Sequence, residues 1–130
     1  MANIEFIKVS STTLAQPLPY SSATKANGFI FVSGQASVEN GELINDAFEN
    51  QFRRTMKNIQ DILAASGATL KDVCQVRSYL QRKEDVALYN QLYREYFKEP
   101  YPARTTITNC LSDKLAFEMD VVAVDPSWNK

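Results

Sequence analysis

A chain of 130 residues has room for one domain around a single core and too little for two. Its 45% hydrophobic and 22% charged residues are those of an ordinary soluble globular protein, and a net charge of -1 without a block of like charges argues against nucleic acid as a partner. The absence of any histidine excludes a histidine-dependent nucleophile triad, a histidine general base and an ordinary histidine-rich zinc or iron site.

In chain order, Ile4 to Val9 reads as an opening strand, followed from Ser10 to Tyr20 by a Ser-, Thr- and Pro-rich loop whose prolines forbid regular helix. Ala23–Asn27 and Phe29–Ser33 read as two strands joined by a turn at Asn27-Gly28, and Asn40-Gly41 is a second turn of the same kind. From Asp46 to Ser66 the period becomes helical. Phe48, Phe52, Met56, Ile59, Ile62 and Leu63 recur at three and four, with Asp46 as the expected cap and Gly67 as the stop. Asp72–Leu80 is a strand with Cys74, Val76, Ser78 and Leu80 on one face. A second amphipathic helix, about Glu84 to Phe97, carries Val86, Tyr89, Leu92, Tyr93, Tyr96 and Phe97 as its apolar stripe and ends before Pro100 and Pro102. Strands Arg104–Cys110 and Leu115–Val124 complete a single domain over 1–130.

The order gives an α+β fold: one mixed sheet with two helices on one face. The sheet is apolar on both sides, since Phe29 and Phe31 oppose Ile30 and Val32, and Val122 and Val124 oppose the core residues of the last strand. Two helices cover one side only, so copies of the same chain are expected against the other. Cys74 and Cys110 read as reduced, half-buried strand residues. The N-terminal residues carry Glu5 and Lys8 and no long apolar run, and no segment approaches the ~20 apolar residues of a membrane span. The expectation is a cytoplasmic protein.

Few residues offer chemistry. Alternation puts Arg104 on a face with Thr106 and Thr108, and Ile107 toward the core; if the last two strands form a hairpin, Arg104 and Glu118 project from the same outer side. An arginine there presents a donor fork that matches a carboxylate, and a nearby acid can orient water or move a proton. The same pair also suits an ion pair at a subunit interface, and these residues alone leave both readings open. Ser33-Gly34-Gln35 ends a strand in a glycine, which fits either a bulge or a close backbone approach to a ligand. Tyr20 follows Pro19 and can donate through its phenol or fill an interface with its ring. Asn90 lies among the second helix's stripe. Cys110 lacks an activating partner. No phosphate loop, paired-carboxylate metal motif or serine elbow is present.

Taken together, Pro19-Tyr20-Ser21, Phe31-Val32-Ser33-Gly34-Gln35, Asn58-Ile59 with Leu63 and Gly67, Leu70-Lys71-Asp72-Val73, Tyr89-Asn90 with Tyr93 and Phe97, Pro102-Ala103-Arg104-Thr105 and the late Glu118 resemble the RidA family of imine deaminases, the YjgF-like or endoribonuclease L-PSP proteins. The resemblance covers nearly the whole chain. It implies a chorismate-mutase-like α+β fold, a homotrimer with sheets inside, and three intersubunit clefts. It implies that Arg104 binds the carboxylate of a 2-imino acid such as 2-iminobutanoate or 2-iminopropanoate and that Glu118 positions the water. Tyr20, Ser33 and Gly34 would line the pocket, the backbone around Thr106 would meet the imine end, and Asn90 would hold the cleft loops. No metal and no cofactor are implied, and the products are a 2-oxo acid and ammonia. A sibling activity on another carboxylated enamine such as 2-aminomuconate, a non-catalytic metabolite-binding role for the same cleft, and the older ribonuclease assignment are the alternatives. Thr106 stands where many members have Cys, and Arg104 to Leu111 is one residue shorter than in archetypal members.

Overall fold

A computed structural model describes residues 3–128. The strands are β1 (Glu5–Ile7), β2 (Ala23–Ala26), β3 (Phe29–Gln35), β4 (Val38–Glu39), β5 (Glu42–Leu43), β6 (Val73–Leu80), β7 (Ala103–Thr108) and β8 (Phe117–Val124); the helices are α1 (Phe48–Ala65) and α2 (Val86–Tyr96). Six strands form one mixed sheet in the order β1-β2-β3-β8-β6-β7, and β4-β5 is a separate hairpin. Both Asn-Gly pairs take the left-handed conformation that a two-residue hairpin turn demands: Asn27 and Gly28 have φ of 51° and 83°, Asn40 and Gly41 of 53° and 78°. Among the described residues no helix is long and apolar enough to cross a membrane.

The helical stripe of α1 folds as its spacing predicts: Phe52, Met56, Ile59, Ile62 and Leu63 are fully buried. They meet Ile30 and Val32 of β3 and Phe117, Met119, Val121 and Ala123 of β8 in one core. Phe52 joins the two helices to the sheet, its ring 6.1 Å from Tyr89 and 5.1 Å from Phe117. The opposite face of the sheet is uncovered, with Phe6, Phe29, Phe31, Ile107 and Val124 all exposed. The two-sided apolar pattern is therefore real within one chain.

At the far end, Asp125 N–H donates to the Gly28 carbonyl at 2.9 Å, and a Cβ on Gly28 would come within 2.6 Å of Trp128 Cδ1. Only glycine lets that indole pack on the first turn. Asp125 also pairs with Lys25 at 3.0 Å and accepts from the Ser127 hydroxyl and backbone N–H.

Several expectations are corrected. The opening strand stops at Ile7, because Val9 begins a short 3-10 turn over Ser10–Thr12. Asp46 does not cap α1: Ala47 stands at the cap without a side-chain bond, and the Asp46 carboxylate accepts from Arg54 instead. Cys74 leaves the Val76–Ser78–Leu80 face at a bulge between Val73 and Gln75, and both cysteines are exposed, Cys110 lying beyond the end of β7. Most important, β7 and β8 form no hairpin. β6 lies between them, paired parallel to β7 and antiparallel to β8. Ile107, level with Tyr79, consequently faces out and is 43% exposed.

Candidate active site

The sheet register fixes where each candidate residue points. Arg104 is paired with Val76, which is buried under the helices, so Arg104 lies on the helix side. Glu118 is paired with Tyr79, on the uncovered side. The two residues expected to project together lie on opposite faces, with β6 between their strands. The structure brings the candidates together in two groups instead of one.

The first group surrounds Arg104. β7 is the last strand of the sheet, so beyond β6 a long side chain can reach past the core to α2. The guanidinium lies 4.9 Å from the Tyr89 ring centre and 4.8 Å from that of Tyr93, a double cation–π contact. Tyr89 is held in turn, donating its hydroxyl to Ser78 Oγ at 2.6 Å. Arg104, Asn90, Tyr93, Arg94, Tyr101 and Pro102 line a cavity of about 280 Å³. No carboxylate pairs with Arg104 among the described residues, whereas Arg53, Arg54 and Arg77 each have one. Burial pushes the Tyr93 phenol up to about 12, so it remains a neutral donor. Its hydroxyl and that of Thr106 are both buried without a partner. Thr106 itself is not among the residues that line the Arg104 cavity.

The second group surrounds Glu118. Ser33 and Gly34 together stand opposite Asp120 alone, a bulge between the Val32–Val121 and Gln35–Met119 pairs. The bulge opens β3 beside Glu118: a Cβ on Gly34 would sit 3.6 Å from Glu118 Oε1. Ser33 spends its hydroxyl on the Ser21 carbonyl at 2.6 Å, which ties the loop bearing Tyr20 to β3. Tyr20, Ser22, Gly34, Gln35, Leu115 and Glu118 help line a groove of about 190 Å³. Asp120, next on the same face, accepts from Arg77 Nε at 2.8 Å and from the Tyr79 hydroxyl at 2.9 Å. Glu118 has no hydrogen-bonding or ionic partner among the described residues. Burial, and then the Asp120 charge, raise its proton affinity above that of an ordinary carboxylate.

Sequence reading missed Tyr93 and Tyr101 as cavity walls and Tyr89 as the support beneath Arg104. All three are tyrosines where an apolar stripe or a loop needed no hydroxyl, and that was the available signal. It also missed Gln51, fully buried in α1, which donates to Asn45 and Asp46 and accepts from Ala116 N–H, fixing the approach to β8. Among the described residues no group of three or more acidic or cysteine side chains is placed to hold a metal.

The family model described as Endoribonuclease L-PSP matches residues 11–125. A RutC family protein of Pyrococcus abyssi is 40% identical over 81% of this chain and 85% of its own. A 2-iminobutanoate/2-iminopropanoate deaminase of Dermatophagoides farinae is 31% identical over 77% of this chain and 81% of its own. The crystal structure of RidA from the Antarctic bacterium Psychrobacter superposes with a TM-score of 0.82 at 27% identity, covering 92% of this chain and 98% of that one.

Proposed function

The chain belongs to the endoribonuclease L-PSP family, that of the RidA or YjgF-like proteins, and on that premise we propose that it hydrolyses reactive 2-imino acids such as 2-iminobutanoate and 2-iminopropanoate to 2-oxo acids and ammonia. The observation that carries this reading is Arg104: a guanidinium held by two tyrosine rings at the wall of a small cavity, with no carboxylate among the described residues to satisfy it. A fork so placed suits the carboxylate of a small acid.

One chain supplies half a site. Arg104 and Glu118 face opposite ways, so a single substrate reaches both only where copies meet. The uncovered face, with Phe29, Phe31 and Val124 exposed, supports such packing, and a homotrimer with three clefts is the assembly we assign. In each cleft Glu118, Tyr20, Ser33 and Gly34 of one copy would meet Arg104, Asn90 and the backbone around Thr106 of the next. Two exposed thiols suit a reducing compartment such as the cytoplasm.

The chemistry needs only orientation and a proton acceptor. A protonated imine is electrophilic at carbon. As the water oxygen bonds to that carbon, the C=N electron pair moves to nitrogen and Glu118 takes the water's proton. Glu118 then passes that proton to nitrogen and takes the carbinolamine hydroxyl's proton as C=O forms, and the C–N bond breaks with its electron pair going to nitrogen to release ammonia. A carboxylate whose proton affinity is raised is the better acceptor for this step.

The test is hydrolysis of 2-iminobutanoate, formed in place from threonine by a dehydratase, by wild type and Arg104→Ala. Acceleration by wild type that falls at least about a hundredfold in the variant is expected, from losing a charge-assisted fork. No acceleration by folded wild type, or full activity in the variant, would overturn the proposal.

A further inference from the structure

The cavity over Arg104 contains a second guanidinium for which hydrolysis of a monocarboxylic imine has no use. Arg94, one turn on from Asn90 in α2, lines the same cavity, and its Nη1 donates to the Asn90 carbonyl at 3.3 Å. No acidic side chain lines that cavity. Neither arginine has a carboxylate within ion-pair distance among the described residues. The other arginines differ: Arg53 bridges Glu49 and Glu95, Arg54 bridges Glu39 and Asp46, and Arg77 bridges Asp120. Arg82 has no such bridge but opens onto a cavity that Asp46, Asp85 and Asp113 also line. Positive charge is thus left uncompensated at one cavity, the one with Arg104 in its wall. The last turn of α2 suits a cation on account of the helix dipole, but the dipole does not account for two cations around one hollow without an acid.

Two cations around one cavity offer places for two carboxylates, and a single carboxylate meets only one of them. We propose that the cavity selects a dicarboxylic 2-imino or enamine acid, with Arg104 on the carboxylate beside the imine and Arg94 on the distal one. The carbon chain between the acids would lie against Tyr93 and Tyr101, whose ring centres are 6.4 Å apart. This assignment rests on the proposed deaminase reading and narrows its substrate class.

Two readouts separate the claims. Titration calorimetry compares 2-oxoglutarate with 2-oxobutanoate as two-acid and one-acid product probes, for wild type, Arg94→Gln and Arg94→Lys. Turnover compares the imines made from glutamate and from 2-aminobutanoate by an amino-acid oxidase. Wild type is expected to bind the two-acid probe about tenfold more tightly and to turn over the corresponding imine with the same advantage. Arg94→Gln should bring the two probes to similar affinity, and Arg94→Lys should keep part of the difference. Equal affinities in wild type, or a preference that survives in Arg94→Gln, would overturn the proposal. So would loss of the assembled mass in Arg94→Gln, since Arg94 would then be an assembly contact. Because the titration involves no turnover, an inactive wild type that still prefers the two-acid probe would count against the deaminase reading and in favour of the dicarboxylate site.

Discussion

The two faces of β8 make a direct comparison, because they alternate along one strand. Phe117, Met119, Val121 and Ala123 point under the helices and are essentially inaccessible. Glu118, Asp120, Val122 and Val124 point the other way and keep part of their surface in water. The inward set is held by its own chain, and what it contributes is packing. The outward set has little to pack on within the chain, so its residues are free of the demands of the core. Glu118, an acid with no partner among the described residues, lies one step from a phenylalanine that no solvent reaches. Stability and the proposed chemistry are thus one residue apart in sequence and a sheet's thickness apart in space.

The largest effect should come from breaking the inward set. Phe117→Ala is expected to cost about 3–5 kcal/mol in urea unfolding, because its ring meets Phe48, Phe52 and Tyr89 and leaves a cavity among them. Phe31→Ser, on the outward side, should instead lower the assembled mass in light scattering while the near-ultraviolet circular dichroism of the core persists. A comparable loss of core stability in both variants would erase the distinction between the faces.

A second test turns the separation of Arg104 from Glu118 into a gain of activity. Arg104→Ala and Glu118→Gln should each be nearly inactive alone. Refolded together, they should recover about a quarter of wild-type activity, the share of clefts that receive both intact groups under random association of a symmetric ring. No recovery from well-mixed oligomers would mean that each cleft draws both residues from one chain.

The smallest effect is a shift in pH dependence. Activation of water needs ionised Glu118, so the rate should fall as pH drops through its pKa. With that value raised, the acid limb of kcat/KM should lie above the ordinary 4.5 of a glutamate. Asp120→Asn removes a neighbouring negative charge and should move the limb to lower pH; a limb that stays put belongs to another group.

Much of this was legible in residues whose signals are local. Asn27-Gly28 and Asn40-Gly41 dictate their turns, the stripe of α1 dictates its buried face, and alternation in β3 and β8 announces a sheet apolar on both sides. The pairing of β7 was not legible. Two successive strands invite a hairpin, but the eight residues between Thr108 and Phe117 carry the chain from β7, at the outer edge beside β6, past β6 to β8, a non-local choice with no short-range code. That choice inverted the side assigned to Arg104 and Ile107. At the sheet edge, polar Arg104, Thr106 and Thr108 take the helix side, where Tyr89 and Tyr93 accept the cation. The bulge at Cys74 likewise depends on how β6 and β8 register against each other, which strict alternation along β6 does not show.

The indole resting on Gly28 has a practical consequence for spectroscopy. It is the chain's single tryptophan, and it lies at the end of β8 opposite Glu118. Its emission will follow detachment of the chain's last turn from the first hairpin and will be blind to ligands entering the Arg104 cavity. Occupancy of that cavity should be followed instead in the tyrosine absorption band, where Tyr93 and Tyr101 form the wall. One sample then carries two optical channels, one for local fraying and one for binding, without an added label.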